Sequence, residues 1–146
     1  MERNVTQVIG LRFAGVAIPR GAVITSAHLQ FTTEKATTGP AQLAIGGEAS
    51  DNATAFGTTL RNISYRADTT ASVAWSPAPW TLAGQAGPDQ RTPSLSGIVQ
   101  EITSRPGWNA GNAMVFAITG TGTRTATSYN KNRQRAPKLI VTYYLP

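Results

Sequence analysis

The chain has 146 residues, a net charge of +6 and only 14% charged residues, with no Cys and a single His. Those numbers exclude a disulfide framework, thiolate metal sites and any zinc centre built on two or three imidazoles. No run of 18 apolar residues is present, so no helical membrane span is expected.

Period-two patterning dominates. Ile9, Leu11 and Phe13 alternate with Gly10 and Arg12, which predicts a strand with one buried face. Ile18-Pro19-Arg20-Gly21 reads as a turn, because Pro fixes φ and Gly frees it. Val23, Thr25, Ala27, Leu29 and Phe31 then form a long strand whose outer face carries His28 and Gln30. Leu43 and Ile45 make a shorter strand expected to end at Gly46-Gly47, and Asp51-Asn52 marks a turn-rich stretch. Val73 and Trp75 form a strand ending in Ser76-Pro77-Ala78-Pro79, with Trp80 and Leu82 beyond it.

One helix is predicted, over roughly 93–104. Thr92 stands as the capping hydroxyl before Pro93, and Leu95, Ile98, Val99 and Ile102 fall on one stripe. Arg105 lies near the end, where a cation is favoured, and Pro106-Gly107 stops the helix. Met114, Phe116 and Ile118 resume the strand period with Val115 and Ala117 between them, so both faces are apolar and the strand is expected in the middle of its sheet. Arg124 to Tyr129 reads as a polar strand near an edge, and 130–136 as a basic loop. Leu139 to Tyr144 closes the chain as a strand expected to be covered on both faces. Seven or eight short strands with one helix predict a single domain over 1–146, an antiparallel β-sandwich of jelly-roll type.

Charge is unevenly spread. Seven acids and seven bases balance through Glu101, after which no acid occurs. Arg105, Arg124, Lys131, Arg133, Arg135 and Lys138 supply the whole excess. The run reads either as a solvated loop or as a face for an anionic partner. Nucleic acid is disfavoured, since Tyr129 is the one aromatic interleaved with these bases.

Three blocks carry a resemblance. The first holds Val8-Ile9-Gly10-Leu11-Arg12-Phe13, Ile18-Pro19-Arg20-Gly21-Ala22 and Ala27-His28-Leu29-Gln30-Phe31. The second holds Asp89-Gln90-Arg91-Thr92-Pro93, Ile98-Val99-Gln100-Glu101-Ile102 and Arg105-Pro106-Gly107-Trp108. The third holds Ala136-Pro137-Lys138-Leu139 and Val141-Thr142-Tyr143. Together they resemble β-sandwich modules of large bacterial secreted proteins, similar to the carbohydrate-binding-module-like domains that accompany polysaccharide-active enzymes and adhesins. The resemblance implies a non-catalytic, extracellular or surface-displayed jelly roll. Modules of that kind begin with an acidic segment and a strand ahead of the Val8–Phe13 block. Here only seven residues precede Val8, so an open sheet edge is expected, which a neighbouring subunit could fill.

No catalytic constellation stands out. His28 would be the sole base for any Ser-His-Asp set, and no G-x-S-x-G elbow is present. Asp89 and Glu101 are the nearest thing to a carboxylate pair, yet one lies in a loop and the other in the helix. Asp51 and Asn52 could contribute to a calcium site, but no full ligand set is spelled out, and no metal or other cofactor is expected. Binding is better provided for. Trp75 is expected to point inward and Trp108 to pack on the helix, leaving Trp80 as the exposed ring for a sugar face. Tyr129 with Lys131, Arg133 and Arg135 forms the companion platform for an acidic sugar. Two functions follow as expectations. One is a module binding a polysaccharide or mediating adhesion. The other is a structural subunit of a virion surface or extracellular filament, whose basic region meets an acidic protein surface and whose sheet edges allow homo-oligomers.

Overall fold

Among the described residues, eight strands form antiparallel sheets around an apolar core, with one α-helix packed against them. The computed structural model describes residues 7–55, 67–128 and 131–146, and the side chains of all of these except Gln7 and Val8. The strands are β1 (Gln7–Phe13), β2 (Val23–Gln30), β3 (Thr33–Lys35), β4 (Gln42–Glu48), β5 (Asp68–Trp75), β6 (Met114–Thr121), β7 (Thr125–Ala126) and β8 (Lys138–Tyr144). The helix is α1 (Ser96–Thr103). The main sheet runs β1-β6-β4-β5, and β2 pairs with β8 and β3 with β7. The chain is therefore all-β and sandwich-like. Its described strands form sheets of four, two and two, rather than the two four-stranded sheets of a complete jelly roll.

The doubly apolar strand sits where its pattern requires. β6 lies between β1 and β4, with Met114, Val115, Phe116 and Ile118 all buried. β4 runs through Gly46-Gly47 to Glu48 instead of stopping there. The bare Gly47 backbone lets α1 lie close, since a Cβ there would stand 2.7 Å from Ile98 Cγ2. Ile98, Val99 and Ile102 are buried beneath the helix as the stripe predicts.

The helix start differs from the expectation. Its N-cap is Leu95, and Thr92 does not cap it. Thr92 is buried, and its Oγ1 accepts the Leu29 N–H at 3.0 Å while its own N–H donates to the Leu29 carbonyl at 3.0 Å. Phe31 N–H donates to Gln90 O at 2.9 Å and Leu95 N–H to Ala27 O at 2.6 Å. Gln100 Oε1 accepts from Ile24 N–H at 2.9 Å. The segment 90–100 thus closes the outer edge of β2, and Thr92 serves that ladder rather than the helix.

Two edge strands also depart from their patterns. β7 pairs over only Thr125–Ala126 of the expected 124–129 strand. The Arg124 side chain explains its start: Nη1 donates to Gly39 O and Thr123 O, Nη2 to Pro77 O and Nε to Ala78 O. This guanidinium is a clip between loops, and partial burial lowers its pKa. β8 is not covered on both faces. Ile140, Tyr143 and Tyr144 are exposed, because among the described residues β8 has β2 as its sole strand neighbour.

Candidate functional site

The predicted binding residues separate. Trp80 is 1% exposed, so it offers no ring to solvent. Its main chain pairs with Thr37 in both directions, and its indole N–H donates to Asp89 O at 2.9 Å. Burial of the ring against Phe31, with centroids 6.1 Å apart, is what overrides the Pro-rich loop that suggested exposure. Tyr129 lies outside the described residues. Lys131, Arg133 and Arg135 share one exposed turn, which Asn132 holds by accepting from the Gln134 and Arg135 N–H groups. Lys131 is paired with Glu34. That contact, with the hydroxyl of Thr127, holds the Glu34 carboxyl below its ordinary range.

The remaining polar candidates have structural partners. Asp51 accepts from Arg105 Nε at 2.8 Å, and Asn52 Oδ1 accepts from the Ala113 N–H at 2.8 Å. Glu101 spreads its carboxylate over the Thr70 and Ala71 N–H groups at 2.8 and 2.9 Å, sealing part of the free edge of β5. Among the described residues no group of three or more acids and His converges on a point. His28 lies half-buried on the outer face of β2; burial and then the nearby Arg91 charge lower its pKa.

A groove of about 760 Å³ opens beside β1. This is within the usual size range of binding clefts. Its floor is aromatic: Phe31 stacks on Trp75 with centroids 5.9 Å apart and touches Trp80. One wall is the inner row of β1: Ile9, Leu11 and Phe13. Leu11 and Phe13 pack against the core, and Phe13 meets Phe116 edge-on at 6.0 Å. Ile9 follows them by the strand period onto the same face, yet it is 48% exposed. β8 repeats the pattern. Leu139 and Val141 pack inward, whereas Tyr143 on the same face is 39% exposed. The approach to β8, Ala136 to Lys138, borders the groove together with β7. Among the described residues β1 pairs only with β6, and β8 only with β2. Among the described residues β1 and β8 thus each keep one unpaired edge, and each carries an incompletely covered inner row, with the start of β8 bordering the groove.

No family model, curated protein or solved structure matches the chain. No helix among the described residues is long and apolar enough to cross a membrane.

Trp80 and Arg133 are brought to this one groove, the first in its floor and the second on its lining; Lys131 and Arg135 are not part of that lining. The residues that shape it, Ile9, Leu11 and Arg12, were legible in the sequence only as strand alternation. Alternation reports which side chains share a face and is silent about whether another strand covers them.

Proposed function

We propose that this chain is a non-catalytic assembly module that receives an extended polypeptide segment from another chain along the open side of its sandwich. One observation carries this reading: inward-facing apolar residues of both β1 and β8 remain half-exposed beside strand edges that no described residue pairs. An added strand answers both deficits at once. It pairs the free N–H and C=O groups, and it buries Ile9 and Tyr143 with its own inward side chains. Such docking suits a subunit of a virion surface or an extracellular filament. A glycan platform is less well provided for, since its ring candidate Trp80 is enclosed.

Hydrogen exchange tests the reading. A short peptide of alternating valine and threonine should slow exchange of the β1 and β8 amides. The same peptide with proline at alternate positions should not, because proline has no N–H to give. Ile9→Glu should abolish the protection while leaving the fold intact. Equal protection from the proline peptide, or none from either, refutes strand docking. A response to acidic polysaccharide alone, centred on 131–135, would favour the glycan reading instead.

A further inference from the structure

At β8, and resting on the strand-docking reading, the added strand can itself be named. The phase of the hydrogen bonds along β2 fixes the phase along β8. Phe31 N–H donates to Gln90 O, Leu29 O accepts from Thr92 N–H and Ala27 O accepts from Leu95 N–H. Ala27, Leu29 and Phe31 therefore turn their main-chain groups away from β8, and Ser26, His28 and Gln30 turn theirs towards it. The ladder partners of those three are Thr142, Ile140 and Lys138. Thr142 O also accepts from Thr25 Oγ1 at 3.0 Å, which places it on the β2 side as the phase requires. The N–H and C=O groups of Leu139, Val141 and Tyr143 consequently point off the sheet, along an edge that no described residue pairs.

This edge is complementary to itself. Two copies of β8 laid antiparallel in full overlap are centred on Val141, the middle residue of the strand. Val141 then faces the partner subunit's Val141, and Leu139 faces the partner subunit's Tyr143. These are the residues whose main-chain groups point outward, so each such pair exchanges both of its hydrogen bonds. A shift by one residue sets outward groups against groups already bonded to β2. A shift by two carries Leu139 or Tyr143 past the end of the opposing strand. The side chains agree with full overlap. At the non-hydrogen-bonded pairs, where side chains stand closest, Ile140 meets the partner subunit's Thr142 and Lys138 meets the partner subunit's Tyr144. The single charge of β8 faces an aromatic ring instead of its own copy. The contact also covers flanks of Ile140, Tyr143 and Tyr144, which are 42, 39 and 54% exposed. We infer that two copies of this chain pair through β8 about a two-fold axis, making one sheet continuous from β2 of one copy to β2 of the other. Such a contact closes on itself, so it yields a dimer.

The test uses the full chain in a concentration series, followed by light scattering and by amide exchange in NMR. A dimer should form, and the Leu139, Val141 and Tyr143 amides should gain protection with it. It should tighten with added salt, which screens the charge of +6 on each copy. Val141→Pro removes an outward N–H from an edge position, where proline is tolerated, and should weaken the dimer while the monomer stays folded. Tyr144→Lys sets a second cation against the partner subunit's Lys138 at both ends of the contact and should weaken it about three- to tenfold. Adding Lys138→Glu makes both ends ion pairs and should restore the affinity, a rescue that only the full-overlap register allows. A monomer at every concentration up to about 1 mM overturns the second copy as donor, while the valine–threonine peptide decides strand docking separately. A dimer that Tyr144→Lys leaves intact, that Lys138→Glu fails to rescue or that salt dissolves overturns the β8 pairing. Protection of the three amides in dilute monomer shows the edge covered within the chain, and overturns both this proposal and strand docking at β8.

Discussion

Replacing Thr92 by Val should destabilise the protein through β2, whose Leu29 lies 63 residues before it, and not through the helix that a cap would serve. Val matches Thr in shape, so no cavity opens. The Leu29 N–H, however, loses its acceptor in a buried position. An unsatisfied buried amide costs about 1–3 kcal/mol. For a domain of this size each kcal/mol lowers Tm by about 2–4 °C, so a fall of about 2–12 °C is expected by calorimetry. Thr92→Ser keeps the hydroxyl and should recover most of the loss. Amide exchange by NMR locates the damage. The Leu29 amide should lose protection, while the amides at the start of α1 keep theirs. Unchanged stability, or fraying confined to Ser96–Ile98, would refute the edge-clasp role and restore Thr92 as a cap.

Three further outcomes follow from other parts of the fold. Gly47→Val places a side chain against Ile98 Cγ2 and should cost about 1–3 kcal/mol in denaturant unfolding, with the double variant Gly47→Val/Ile98→Ala costing less than the sum of the two single ones; additive costs would show that the two positions do not touch. Trp80→Ala removes a buried indole and should cost about 3–5 kcal/mol, so any lost glycan binding would accompany a lowered melting transition; a stable variant with selectively lost binding would contradict its burial. Glu34 is held below its ordinary pKa, so its contribution is present above the usual carboxylate range and disappears as pH falls through the lowered folded value. Lys131→Met should move the Glu34 carboxyl titration upward by NMR, and an unmoved titration would disprove the pairing.

The sequence alone determined the class of fold and much of its internal order. Period-two runs placed β1, β2, β6 and β8. The two-sided apolar run put β6 in the middle of its sheet, and the 3.6-residue stripe of Leu95, Ile98, Val99 and Ile102 set the buried face of α1. These features are legible because periodicity records which neighbours a backbone presents to the core. Tertiary structure decided everything that depends on a partner distant along the chain. Thr92 looks like a cap locally, yet its hydroxyl is taken by Leu29, 63 residues earlier. Trp80 follows two prolines like a loop residue, yet Phe31 and Asp89 enclose it. Arg124 reads as one of a basic run, yet four carbonyls hold it. The groove is the clearest case. Ile9 carries the same pattern as a buried strand residue, and only the arrangement of whole strands leaves it half-uncovered. Local sequence encodes the face a side chain occupies; whether that face is covered is a property of the assembled sheets.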